Sequence, residues 1–371
     1  MQINRRNFIA GTAVAGTVAV AAQGVFGKDA PQPVFGPNSG QALLSRNENP
    51  YGPAPSALQA ITDTATKGCY YSDKGVAKLR DMIAERHMVA PEQVVIGEGS
   101  TEILSAIALA WGAKGTIVCP SLFWDTTVQY GERQGAKAIR VPLAGDMDVD
   151  LAGMAAAVDD SVSLVHICNP NNPTAMLIDP AKMRAFAAQV VPKATLLVDE
   201  AYNELVDDPA ANTLMDLVRE GQDVIVCRTF SKIYGMAGMR VGYAITSPEN
   251  ARLIGGYLMS FGGNVSGLAA AIASYNDHGF LEKSKAVIVE GRSMILDAVK
   301  QAGLTSLPSQ TNFVYVEVSD ANAVQKAMAE RGISIRGAYG PWKQYSRVST
   351  GKLDDVSRYC AALPEVIGGL A

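Results

Sequence analysis

Seven short apolar runs, spaced by stretches of helical periodicity, limit what this chain can fold into. They are Val94–Gly97, Thr116–Cys119, Ala138–Val141, Leu164–Cys168, Thr195–Val198, Val224–Cys227 and Val241–Ile245. Helical patterns cover Thr101–Trp111, Thr126–Gln134, Pro180–Val190 and Gly267–Tyr275. A strand that is apolar at consecutive positions is covered on both faces, and alternation with helices gives βαβ units. The expected fold is α/β, with a mainly parallel sheet flanked by helices in a large domain over residues 61–277. Beyond Asp277 the texture changes. A helix over Leu281–Ala302 leads to Asn312–Val318, whose alternation suits a strand with one solvated face. A helix at Ala321–Arg331, a strand near Ile333–Arg336 and a last helix from Lys352 complete a smaller α/β domain, 278–371. A chain of 371 residues is long enough for two such domains.

The first thirty residues read differently. Asn4-Arg-Arg-Asn-Phe-Ile9 precedes the charge-free run Ala10–Val20, and Ala19-Val-Ala21 offers small residues for cleavage. Paired arginines before such a run indicate a twin-arginine signal peptide, so residues 1–30 are expected to be signal and the start of a linker. Lys28–Gly40, rich in proline and glycine, continues that linker. The run is short and weakly apolar for a membrane span, with an uncleaved N-terminal anchor as the alternative. The expectation is an exported, periplasmic protein made as a cytoplasmic precursor, without stable membrane association. Net charge is −4, from 32 basic and 36 acidic residues with no basic stripe, which argues against a nucleic-acid partner. The cysteines at 69, 119, 168, 227 and 360 show no disulfide or metal spacing, and those in strand runs read as small core residues. His87, His166 and His278 are too dispersed for a ligand cluster.

The ends of the apolar runs carry the chemistry, because ligands of open α/β sheets bind where strands give way to loops. Lys232 follows one of them, in Cys227-Arg-Thr-Phe-Ser-Lys-Ile-Tyr-Gly-Met-Ala-Gly-Met-Arg240. A lysine becomes nucleophilic when burial or a neighbouring cation discourages its ammonium form. Arg240 supplies a cation and can grip an anion such as a phosphate. That pair is what holding pyridoxal phosphate as an internal Schiff base requires. Asp199 ends another run, in Leu197-Val-Asp-Glu-Ala-Tyr202. A carboxylate there pairs with a pyridinium nitrogen or caps a helix. Asn172 stands in the rigid turn Asn169-Pro-Asn-Asn-Pro-Thr174, placed to meet the cofactor's phenolic oxygen. Gly97-Glu-Gly-Ser-Thr-Glu102 opens a helix whose free N–H groups bind phosphate. Each segment alone has an ordinary reading as a tight loop or a capped helix.

In this order the segments resemble the fold-type I aminotransferases of class I/II, most nearly the histidinol-phosphate aminotransferase branch. The likeness runs from about residue 40 to the C-terminus. It includes Asn47-Glu-Asn-Pro-Tyr-Gly52, Gly99-Ser-Thr-Glu102, Asn169–Thr174, Asp199–Tyr202, Ser231-Lys232 with Arg240, Asn312-Phe313 and Arg347-Val-Ser-Thr-Gly351. It implies a pyridoxal-phosphate enzyme that moves an amino group through a Lys232 Schiff base. The partners are an L-amino acid, or a histidinol-phosphate-like amine, and a 2-oxo acid. Ser100, Thr101, Ser231 and Arg240 would surround the phosphate, Asp199 the ring nitrogen, and Asn172 with Tyr202 the phenolic oxygen. An aromatic stacks on the ring, and spacing leaves Trp124 and Phe123 both open. Tyr71 resembles a tyrosine that reaches the phosphate of the neighbouring subunit, with Tyr70 a rival, which implies a homodimer with shared sites. Arg347 would grip the substrate's acid group, with Asn49 and Arg336 also on the substrate side. The N-terminal arm, 38–60, would pack with the smaller domain.

A decarboxylase or lyase on the same scaffold is the alternative, and a non-catalytic binding protein a remote one. Two departures from the family pattern stand out. Ala175 replaces the usual glycine after Asn-Pro-Thr, which is tolerable if that residue avoids positive φ. Ser260-Phe-Gly-Gly-Asn-Val-Ser266 places glycines where relatives tend to have a proline and an aromatic. With the export sequence, this favours an aromatic or otherwise bulky L-amino acid over histidinol phosphate.

Overall fold

Eleven strands occur among residues 35–370, which the computed structural model describes. They are β1 (Ala42–Leu43), β2 (Val94–Gly97), β3 (Thr116–Pro120), β4 (Ala138–Val141), β5 (Val162–Cys168), β6 (Thr195–Asp199), β7 (Val224–Thr229), β8 (Gly242–Ile245), β9 (Phe313–Glu317), β10 (Ile333–Ser334) and β11 (Tyr345–Ser349). The twin-arginine reading concerns residues 1–30, which lie outside the described residues. Residues 35–39 belong to a separate N-terminal unit, and all eleven strands lie in the unit that begins at Gly40.

Seven strands form one sheet in the order β2-β8-β7-β6-β5-β3-β4, parallel except that β8 runs against both neighbours. The expected α/β fold is thus the observed one. Alternate residues of a strand point to opposite faces, and both faces here are apolar. Val165, Ile167, Leu196, Val198, Val224 and Val226 enter one core. Their neighbours Leu164, Cys168, Leu197, Ile225 and Cys227 enter the other. Fully burying such a side chain contributes about 1.5–3 kcal/mol, which is why the runs are continuous rather than alternating. Helices cover both faces. Trp111, near the end of helix Ser100–Gly112, reaches the sheet and donates from Nε1 to Thr195 Oγ1 at 2.7 Å.

A further core gathers around β1, β9, β10 and β11, with Leu44, Val314, Val316, Val348 and Leu363 inside it. β1 pairs parallel with β10, and β9 antiparallel with β11. Helix His278–Gln301 serves both regions, with Ile288 in the first core and Ile295 in this one. The arm divides in the same way. Ala42 and Leu44 join the C-terminal core, whereas Ala54 and Ala57 of the following turn and helix join the first. Arm residues up to 60 therefore do not all pack with the C-terminal part.

Two further expectations need correction. β9 has no solvated face over its first four residues: Phe313, Val314, Tyr315 and Val316 are all buried. Its Phe313 side packs edge-on against Tyr202, 5.2 Å between centroids, so polar alternation was never required there. Ala175 does adopt positive φ, at +65°. Its N–H bonds to Asn171 O at 2.8 Å, closing the turn that carries Asn172.

Candidate active site

The end of each of four strands delivers one functional group to a single cavity. β2 leads to Ser100 and Thr101, β5 to Asn172, β6 to Asp199 and β7 to Lys232. Register aligns them, since Asp199 pairs with Cys168 on one side and Cys227 on the other. The cavity, about 180 Å³, is also walled by Trp124, Tyr202, Ser231 and Arg240. Every cofactor-side residue expected from sequence except Tyr71 is therefore brought together in one protomer.

Lys232 faces this cavity because its neighbours cannot. Phe230, Ile233 and Tyr234 are buried, and the Phe230 ring packs among Tyr234, Tyr243 and Tyr275. Gly235, at φ +65°, lets the loop lie on the arm, since a Cβ there would sit 2.4 Å from Gly52 Cα. Half-buried Lys232 is lowered to about 8, first by burial and then by the Arg347 charge, with Arg240 adding to it and Asp199 and Glu48 opposing. Its Nζ lies 3.4 Å from Asn47 O and 5.6 Å from the centre of the Tyr202 ring.

Asp199 is buried and raised to about 7, by burial first, against the Ala201 N–H and the Lys232 charge. Its Oδ1 accepts from Ala201 N at 3.2 Å. A buried carboxylate with so little compensation fits a cationic ring nitrogen. Among the described residues, Arg240 donates to neutral acceptors, Ala237 O at 2.8 Å, Glu98 O at 3.3 Å and Ser231 Oγ at 3.5 Å. A Cβ at Gly99, where φ is +76°, would lie 2.2 Å from Arg240 Nη2, so only glycine lets the guanidinium reach the helix N-terminus. Free N–H groups, a hydroxyl and an arginine with no anion of its own fit a phosphate. The chain thus has the donors that pyridoxal phosphate needs.

Trp124 and Phe123 take different places. Trp124 lines the cavity, while Phe123 is buried edge-on against His166, 5.0 Å between centroids. Glu200 and Glu102 serve the scaffold: Glu200 is fully buried in an ion pair with Arg228 at 2.8 Å, and Glu102 Oε2 accepts from Glu98 N at 2.6 Å.

Behind Asn172 of this cavity, Arg347 of β11 is buried. Nη1 donates to Asn172 Oδ1 at 2.6 Å and Nη2 to Ser45 O at 2.8 Å, while Nε has no partner. Both acceptors are neutral, and burial lowers its pKa. Phe313 and Tyr339 flank the guanidinium, their centroids 5.2 and 5.4 Å away. A buried cation held by neutral groups is costly until an anion meets it.

Asn49, expected at the substrate, is turned elsewhere. Its Nδ2 donates to Ile233 O at 2.9 Å and Ser284 Oγ at 2.7 Å, and its Oδ1 accepts from Tyr51 N at 3.2 Å. It fastens the arm to the Lys232 loop, and Asn47 is the arm residue beside Lys232. Arg336 is exposed, its backbone bonded to that of Arg347 and its guanidinium 5.0 Å from the Tyr339 ring centre. Tyr71 is 76% exposed, outside the cavity, and packs on exposed Phe261 at 4.9 Å.

Sequence reasoning missed Asn47, Ser45, Ser349 and Asn312 as parts of the site. Asn47 and Asn312 stand in family-like motifs, and that was the signal that could have found them. Ser45 acts through its backbone carbonyl and leaves no trace in residue type.

The profile described as aminotransferase class I and II matches residues 39–363. A histidinol-phosphate aminotransferase from Moorella thermoacetica is 33% identical over 328 residues, 87% of this chain and 85% of that one. An aromatic amino acid aminotransferase from Mycolicibacterium smegmatis is 36% identical over 316 residues, 83% of this chain and 86% of that one. The crystal structure of histidinol-phosphate aminotransferase from Sinorhizobium meliloti in complex with pyridoxal-5'-phosphate is similar, with a TM-score of 0.82 and 33% identity. The match covers 89% of this chain and 92% of that one.

Proposed function

This chain belongs to the aminotransferase class I and II family and is a pyridoxal-phosphate-dependent aminotransferase, and we propose that its amino donor is a bulky, aromatic L-amino acid. The observation that carries the proposal is Arg347, buried with its Nε unpartnered and aromatic rings on either side. A carboxylate satisfies such a fork with paired, charge-assisted bonds. Tyr202, which lines the cavity, and half-buried Tyr339 offer aromatic faces near it for a ring, with fully buried Phe313 behind the guanidinium.

Bound pyridoxal phosphate supplies the electron sink for charge developing at the substrate's Cα. The chain does the rest. Ser100, Thr101, Ser231 and Arg240 would hold the phosphate end, and Trp124 would stack on the ring. The Asp199 carboxylate would pair with the ring nitrogen and keep it protonated. Asn172 and Tyr202 would meet the phenolic oxygen. Lys232, lowered to about 8 by burial and the Arg347 charge, sheds its proton more readily than an ordinary lysine, and so could both take the Cα proton and return it.

The test uses purified protein and single amino donors, followed by the visible absorbance of the cofactor. Phenylalanine or tyrosine should convert it to the amine form, with the matching 2-oxo acid released. Turnover of histidinol phosphate in preference to both would overturn the donor assignment, and release of carbon dioxide would replace transfer by decarboxylation.

The same reading includes a homodimer in which Tyr71 serves the partner's site. Tyr70, Tyr71, Met259 and Phe261 are large, exposed and apolar, as an uncovered interface would be. A monomer by light scattering would sink it. Export rests on the paired arginines at 5 and 6. No helix among the described residues is long and apolar enough to cross a membrane. Finding an Arg5→Lys, Arg6→Lys variant in the periplasm in wild-type amounts would refute the twin-arginine route.

A further inference from the structure

We propose that Asn47 is a positioning residue for the proton-carrying amine: its main-chain carbonyl receives Lys232 Nζ whenever the amine is free, and its side-chain amide holds the Tyr202 hydroxyl. This rests on the aminotransferase function, which makes Lys232 the proton carrier.

Asn47 is 2% exposed and sits at φ +57°, the left-handed region that asparagine tolerates better than other residues with a Cβ. All its polar atoms are engaged. The backbone N–H donates to Ser349 Oγ at 3.0 Å, and that hydroxyl donates back to Asn47 Oδ1 at 2.6 Å. This small closed ring fixes the residue in its conformation. Nδ2 donates to the Tyr202 hydroxyl at 3.1 Å. The carbonyl accepts from Asn312 Nδ2 at 2.9 Å and from Lys232 Nζ at 3.4 Å.

Ser349 follows Arg347 by two residues on β11, so both side chains project from the same face of the strand. The arm residue that meets the amine is thereby tied to the strand that carries the anion grip. The charged groups acting on Lys232 are Arg347, Asp199, Glu48 and Arg240, and the Tyr202 ring lies beside it. Charges bias the amine's protonation without aiming it. Among the described residues, the Asn47 carbonyl is the acceptor that gives the freed amine a direction. In the proton step an N–H bond forms at Nζ as the substrate's Cα–H bond breaks, and the electron pair passes into the bound cofactor. The resulting ammonium donates to Asn47 O until the proton moves on to the cofactor's acceptor carbon.

Asn47→Gly keeps the left-handed backbone and deletes the amide, whereas Ser349→Ala loosens the same ring without touching Asn47. Lys232 is acetylated with acetic anhydride across pH in the full chain stripped of cofactor, and its peptide is quantified by mass spectrometry. The wild-type midpoint should lie near 8. In both variants it should fall by about half to one pH unit, because the carbonyl that receives the ammonium is kept but is no longer held in place by the ring, which weakens its hydrogen bond. In turnover, kcat should fall about 10- to 100-fold while KM for the donor moves less than about threefold. Unchanged midpoints, a rise, or a loss carried by KM would overturn the proposal. If Asn47→Gly fails to fold, Ser349→Ala decides by the same readings. A wild type without cofactor absorbance would refute the function instead, and the midpoints of the stripped chain would still decide this inference.

Discussion

The two walls of the site, the cavity lining and the hydrogen-bonded group behind Asn172 and Tyr202, are built in opposite ways. On the cofactor side, Ser100, Asn172, Asp199 and Lys232 each stand within a few residues of a strand end, in register across one sheet. On the substrate side, Arg347, Ser45, Asn47 and Ser349 come from segments up to 302 positions apart and hold one another by hydrogen bonds. The sheet sets the first wall by strand pairing alone. The second wall exists only once the arm has met the C-terminal strands, and it keeps an unpartnered guanidinium nitrogen. Strand pairing therefore explains how the cofactor is placed. An unmet hydrogen-bond donor explains what the substrate must bring.

Removing Lys232 should break the first wall outright. Lys232→Ala is expected to lose the bound cofactor's visible absorbance and to reduce kcat by about 10²–10⁴, the usual worth of a positioned acid–base group. An unchanged spectrum would show that another residue holds the cofactor. Arg347→Ala should injure only the second wall. Losing one partner of a desolvated charge pair costs about 2–5 kcal/mol, roughly 30- to 4,000-fold in kcat/KM. Most of it should appear in KM, with the cofactor spectrum intact. Arg347→Lys should recover little, because an ammonium lacks the planar fork. A spectrum that changes with Arg347 would mean that the walls are not separable.

The same division decides what was legible in the sequence. Strand runs such as Leu164–Cys168 and Thr195–Val198 were readable to within two residues because both faces of the sheet are covered there. Helices Pro55–Thr64, Asp73–His87 and Pro248–Gly255 were not foreseen, since their apolar faces are narrow and broken by charged or polar residues. Cofactor-side groups stood in motifs at strand ends, where type and place go together. Residue type cannot say which of two asparagines in one motif turns toward the lysine. Asn49 is held away from it by hydrogen bonds to Ile233 and Ser284, 184 and 235 positions along the chain. Phe313 was expected on a solvated face for a related reason: its cover, Tyr202, belongs to the other wall.

Titration offers a finer separation, read in the chain without cofactor. Asp199 is raised from 3.8 to about 7, and Lys232 is lowered from 10.5 to about 8. For Asp199 the folded state binds more protons than the unfolded state between these values, so stability should fall as pH rises from about 4 to 7. For Lys232 the folded state binds fewer, so stability should rise again between about 8 and 10.5. The cofactor wall thus weighs most on the fold near neutrality, where both groups carry charge. Urea midpoints across pH should show this trough, and the double variant Asp199→Ala, Lys232→Ala should flatten it. A trough of the same depth in the double variant would place its origin elsewhere.

The smallest expected effect concerns Ala175, in the turn that presents Asn172. At φ +65° a residue with a Cβ is strained by about 1–2 kcal/mol, which glycine would relieve. Ala175→Gly also loses about 0.4–1 kcal/mol through the freer unfolded chain and about 0.8 kcal/mol from the buried methyl. These terms nearly cancel, so stability should stay within about 1 kcal/mol of wild type by urea denaturation. Ala271→Gly is the control, because Ala271 is equally buried but lies inside helix Val265–Ser274. There no strain is relieved, and helix propensity together with the lost methyl should cost about 1.5–2 kcal/mol. The difference between the two variants measures the strain stored in the Asn172 turn. Asn172 itself should hardly notice, since Arg347 holds its Oδ1 from the other wall, and kcat/KM of Ala175→Gly should remain within about threefold of wild type. Equal losses in the two glycine variants would mean that the turn carries no strain, and a large fall in kcat/KM would mean that Ala175, rather than Arg347, fixes Asn172.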